Sequence, residues 1–100
     1  MKRTKTTRKY KILWCEYHNP KSWGGTISEG INSIMLDFSP ESKWNEDGDD
    51  GWIEVQAVST FEASDILEAK KIAKDYDIGD ADIFTVFDEY GNKLFDEGDI

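Results

Sequence analysis

Apolar and polar positions change period several times along this chain, and each change marks an element. Tyr10–His18 (YKILWCEYH) is dense in aromatic and β-branched residues and stops at Asn19-Pro20, which reads as a strand. Leu13, Cys15 and Tyr17 fall on one face, Ile12 and Trp14 on the other. Both faces are partly apolar, as in a central strand. Trp52–Thr60 (WIEVQAVST) alternates Ile53, Val55 and Ala57 against Glu54 and Gln56, a second strand. Asp82–Asp88 (DIFTVFD) reads as a third. Tyr90-Gly91-Asn92 reads as a turn, and Lys93–Phe95 as a short returning strand.

The helical period is clearest over Ala63–Tyr76. Ser64 fits the N-cap and Asp65 the first turn. Lys70, Lys71 and Lys74 occupy the later turns, where cations complement the helix dipole. Ile66, Ala69, Ile72, Ala73 and Tyr76 form the apolar stripe. Ile27–Phe38 carries two patterns. Ile27, Ile31, Ile34, Met35 and Phe38 recur at helical spacing, and Thr26 with Glu29 fits a capping box. Ile34, Leu36 and Phe38 also alternate as a strand would, and Gly30 costs a helix about 1 kcal/mol. The reading favours a strand at Ser33–Phe38, ended by Ser39-Pro40. The fold class expected is α+β: an antiparallel sheet of four to five strands with one principal helix packed on one face.

The 100 residues allow one domain, placed at 10–100 behind a basic tail at 1–9. Thirteen aromatics, four of them Trp, are too many for a solvated chain, so a small core built on large rings is expected. The single cysteine excludes an intramolecular disulfide and points to a reducing, cytoplasmic setting. No long apolar run suggests a membrane span.

Charge adds the strongest functional signal. Residues 1–22 hold seven of the 12 Lys/Arg and one of the 21 acids, a net of +6. Residues 23–100 hold the other five bases and 20 acids, a net of −15. A body that acidic attracts basic protein surfaces and opposes direct contact with nucleic acid.

Catalytic and metal chemistry finds little to stand on. Cys15 and His18 are spaced C-x-x-H, yet zinc needs more ligands, and positions three apart on a strand face opposite ways. The same geometry argues against a Cys/His nucleophile pair. Cys15 is expected to be a buried, unreactive thiol in a central strand. Trp23-Gly24-Gly25-Thr26 lacks the Lys and the spacing of a phosphate loop. Asn45–Gly51 has calcium-like acids, but from Asn45 the sixth position is Asp50 and the twelfth Gln56, so the register fails. No metal and no cofactor is expected.

The contact candidates are instead Trp23 and Trp44, with Glu46, Asp47, Asp49 and Asp50 of an acidic loop at Glu41–Gly51. Trp52, at a strand start, is expected in the core.

FEASDILEAKKIAKDYD (61–77) followed by DADIFTVFDEYGNKLF (80–95) resembles a pattern of small acidic phage and mobile-element proteins. The positions that carry it are Glu62, Ala63, Glu68, Ala69, Ala73, Val86, Asp88, Gly91 and Asn92. It spans only the second half, at cap, packing and turn positions. The resemblance implies a stoichiometric inhibitor of a host or defence protein, in some cases a DNA mimic. The basic tail departs from a pure DNA mimic. The function expected is a non-enzymatic protein-binding module that blocks or adapts a partner with a basic surface. Two alternatives stand beside it: a DNA-mimic inhibitor of a nucleic-acid-binding enzyme, and a small carboxylate-using enzyme or ligand-binding domain.

Overall fold

The computed structural model describes residues 6–48 and 51–99, with the side chains of 22 and 23 outside the described set. The Tyr10–His18 strand runs longer than its apolar run, as β1 (Arg8–His18), so Arg8 and Lys9 belong to the sheet and not to a tail. It is central, as its two partly apolar faces predict. On one side it pairs antiparallel with β3 (Ile53–Ala63) along its whole length, Arg8 opposite Ala63 and His18 opposite Ile53. On the other it pairs with β4 (Phe84–Asp88), from Tyr10 opposite Asp88 to Trp14 opposite Phe84. β2 (Lys43–Glu46) flanks β3 and β5 (Lys93–Asp96) flanks β4, giving the antiparallel order β2-β3-β1-β4-β5. The fold is α+β with a five-stranded sheet. β3 and β4, which flank the second helix in sequence, are not neighbours, because β1 lies between them.

The region 27–38 corrects the strand expected at Ser33–Phe38. It forms helix α1 (Ile27–Met35), opened by the complete Thr26–Glu29 capping box: the Thr26 hydroxyl accepts from Glu29 N–H at 3.1 Å, and Glu29 Oε1 accepts from Thr26 N–H at 3.3 Å. Gly30 weighed against a helix in sequence because its reason lies elsewhere in the chain. α1 packs on the short 3-10 turn Pro20–Trp23, and a Cβ at position 30 would stand 2.4 Å from the Pro20 carbonyl oxygen. Close approach selects glycine here, and Ile34 is the fully buried α1 side chain, with Ile31 and Met35 packed against the same core.

The principal helix, α2, is shorter than the Ala63–Tyr76 expected. It covers Ile66–Lys74 with Asp65, not Ser64, as N-cap, because β3 continues to Ala63. The Asp65 carboxylate accepts from Glu68 N–H at 2.9 Å, while Glu68 reaches back to Ser64 N–H at 2.8 Å. Ala69 and Ala73 are buried, as the stripe requires, but Ile66 is left largely exposed.

Both helices cover the same face of the sheet. Tyr10, Ile12 and Trp14 of β1 join Val55, Ala57 and Phe61 of β3 and Val86 of β4 in one core with Ile34, Ala69 and Ala73. Tyr76, just past α2, packs its ring tilted against Trp14 and Phe61, with centroids at 6.1 and 5.9 Å. Its hydroxyl bonds Ser59. A β4–β5 turn closes on Asp88, whose carboxylate accepts from the N–H groups of Tyr90 and Asn92, both at 2.9 Å. Gly91 supplies the left-handed conformation at φ 89°. Among the described residues, no helix is long and apolar enough to cross a membrane.

Candidate functional site

The segment expected to be an acidic loop at Glu41–Gly51 contains an edge strand, β2, because Lys43–Glu46 pairs with Ile53–Gln56. This moves Trp44 from a loop onto a fixed platform. Trp44 lies opposite Val55, so it faces the helix side of the sheet, and it remains 40 % exposed at the sheet's edge. The chain then turns, with Asp47 N–H donating to Trp52 C=O at 3.0 Å. Gly48 and Gly51 take φ of 80° and 85° in this turn.

Trp52 corrects the core placement. It sits one residue before β3 and is 41 % exposed. Nothing in the ladder obliges its side chain to turn inward. α1 supplies the third wall: Ile27, in its first turn, is 52 % exposed, and Ile31 lies one turn later. Trp44, Trp52, Ile27, Ile31 and Ile53 together line an open hollow of about 360 Å³, with Glu46 also in its wall. Asp47 is exposed beside it.

Of the sequence candidates, the structure therefore brings Trp44 and Glu46 into the wall of the hollow, with Asp47 exposed next to them in the chain. Asp49 and Asp50 lie outside the described residues. Trp23 belongs to the 3-10 turn by its backbone, and its side chain lies outside the described set. Sequence reasoning missed Trp52 and Ile27. The available signal was position: Trp52 follows Gly51 outside the strand, and Ile27 is the first residue after its cap.

On the helix-free face behind the hollow, acids surround Tyr17. Glu54, next to the β2–β3 turn, raises the Tyr17 phenol above its ordinary range, with burial and then Asp47 adding to the effect.

Cys15 corrects another expectation. It is exposed, on the sheet face that carries no helix. Its thiol lies 3.7 Å from Glu54 Oε1, and desolvation first, then the Glu54 charge, pushes its pKa above 9.0. Sequence placed it in the right strand, but β1 is covered on one face only. His18 is on the other face, where Nε2 meets Glu16 Oε1 at 3.2 Å and the ring packs edge-on to Phe38 at 5.9 Å. The thiol and the imidazole are thus held apart by the sheet itself. Among the described residues, no cluster of three His, Cys, Asp or Glu is placed to hold a metal ion.

Compared with protein-family models, curated proteins and solved structures, the chain matches none.

Proposed function

We propose that this chain is a non-enzymatic protein-binding module that engages a basic partner through the Trp44–Trp52 hollow. The observation that carries the reading is the pair of half-exposed tryptophans over an apolar floor, with Glu46 in the wall, Asp47 next to it in the chain, and Lys21 reaching the rim at Gly51. Exposed Trp over a partly desolvated pocket is what binding hot spots are made of. Surrounding carboxylates steer a basic surface towards it and raise the association rate. Blocking or adapting a host or defence protein in the cytoplasm is the role this chemistry serves best. It agrees with what the resemblance of residues 61–95 implies.

Affinity isolation from a host lysate, followed by a binding series on the recovered partner, tests it. Trp44→Ala should speed dissociation about tenfold or more, as hot-spot truncations do. Glu46→Gln with Asp47→Asn should slow association and flatten its dependence on salt. A partner bound equally well by both variants would show that the interface lies elsewhere. Duplex DNA that competes for the partner would favour the DNA-mimic alternative.

A further inference from the structure

Two inner strands, β3 and β1, run past the strands beside them, and the exposed stretches are treated differently. Past the end of β2, the edge of β3 is plugged: Val58 N–H donates to Ser42 Oγ at 3.0 Å, and Val58 C=O accepts from Ser39. These bonds also fix the direction of the main chain. Val58 points its N–H and C=O away from β1, so its partner Leu13 points the same groups towards β4. The register runs unbroken to His18, so Tyr17, four residues on, does the same.

β4, however, begins at Phe84, opposite Trp14. Among the described residues, no strand lies next to the edge of β1 beside Tyr17. Exposed edges are normally blunted by a charge, a proline or a plug. Here the edge opens on an apolar cleft of about 660 Å³, formed between the end of β1 and the segment leading into β4. Tyr17 and Ile83 line it while 55 % and 67 % exposed. Its charged lining is Glu16, Asp80 and Asp82, with His18 and no Lys or Arg.

We infer that this cleft is a second docking site, taking an extended, lysine- or arginine-bearing peptide segment that adds to the free edge of β1. An added strand would pair with the main chain of Tyr17. Its apolar side chains would cover Tyr17 and Ile83, and its cations would meet Asp80 and Asp82. The charge of the lining selects a basic segment over an acidic one. The site goes beyond the Trp44 hollow, which lies at the β2 edge, with β3 between β2 and β1.

The test uses the full chain, labelled for backbone amide NMR. The probe is a blocked five-residue peptide of alternating lysine and valine. Saturable shifts centred on Tyr17 and Ile83, with Kd below about 1 mM, are expected. Asp80→Asn with Asp82→Asn should weaken binding about fivefold, since these carboxylates are exposed. The same peptide N-methylated at every backbone nitrogen should lose binding, because it keeps its charge but has no backbone donor on either edge. An alternating glutamate–valine peptide should not bind. Equal binding of the N-methylated or the acidic peptide overturns the inference. So do shifts centred on Trp44 and Trp52, or no shifts at about 5 mM peptide. The first two outcomes leave the Trp44 reading untouched.

Discussion

Gly30 is the residue on which the placement of α1, and with it one wall of the Trp44 hollow, depends. Replacing it with alanine sets two effects against each other. In a helix interior, alanine is favoured over glycine by about 1 kcal/mol. The added Cβ would also stand 2.4 Å from the Pro20 carbonyl oxygen, 3.0 Å from its Cβ and 3.1 Å from its carbonyl carbon. Comfortable contacts between heavy atoms lie near 3.5–4.0 Å, so α1 and the Pro20 turn must separate by roughly 1 Å. The obstructing atoms are backbone and cannot change rotamer. Overpacking of this kind costs about 1–3 kcal/mol, and a backbone clash belongs in the upper part of that range. The clash wins, leaving Gly30→Ala about 1–2 kcal/mol less stable. For a domain this size the fall in Tm is roughly 5–15 °C, measured by circular dichroism or calorimetry. Asn32→Ala, on an exposed position of the same helix, should instead leave Tm unchanged or slightly higher. If Gly30→Ala melts at or above the native temperature, propensity has outweighed contact. The close packing of α1 on Pro20 would then not be the reason for the glycine.

Ala73 is 1 % exposed under α2, so Ala73→Asp should cost about 3–4 kcal/mol by burying an unpaired carboxylate, and an unchanged Tm would refute the assigned face. Cys15 should react with a thiol reagent in the native state, but slowly at neutral pH because its pKa is raised. Removing the neighbouring charge with Glu54→Gln should lower that pKa and speed labelling, and an unchanged rate would deny the Glu54 contact. Asp88 titrates below its ordinary 3.8, held down first by Asn92 and then by the other turn N–H groups. A lowered carboxylate pKa means stabilisation present above 3.8 and lost as pH falls through the folded value. The amide shifts of Tyr90 and Asn92 should therefore move with a midpoint below 3.8, and a midpoint at or above it would refute the turn's hydrogen bonds.

The sequence by itself determined the parts of this protein that obey local rules. The alternation of Ile53, Val55 and Ala57 made β3, and the aromatic run from Tyr10 made a central β1. The small Ala69 and Ala73 turned α2 onto the sheet, and the Asp88–Asn92 turn formed as its residues predict. Each of these depends on side-chain period or on hydrogen bonds within a few residues, which a sequence displays directly. Only the tertiary structure decided the rest. Ile27–Met35 carries its own helix signal in the Thr26–Glu29 capping box, but Gly30 obscured it, because that glycine answers to Pro20, a contact outside the helix. Lys43–Glu46 became a strand because the edge of β3 offered it a partner, although its own residues alternate only weakly. Cys15 is exposed because both helices gather on one face of the sheet, and the pattern within β1 cannot say which face is covered. Trp52 joins Trp44 and Ile27 for the same kind of reason: a strand start, an edge strand and a helix end meet there. The charge that suggests a basic partner was legible from composition, but the hollow that would grip it was made by the packing.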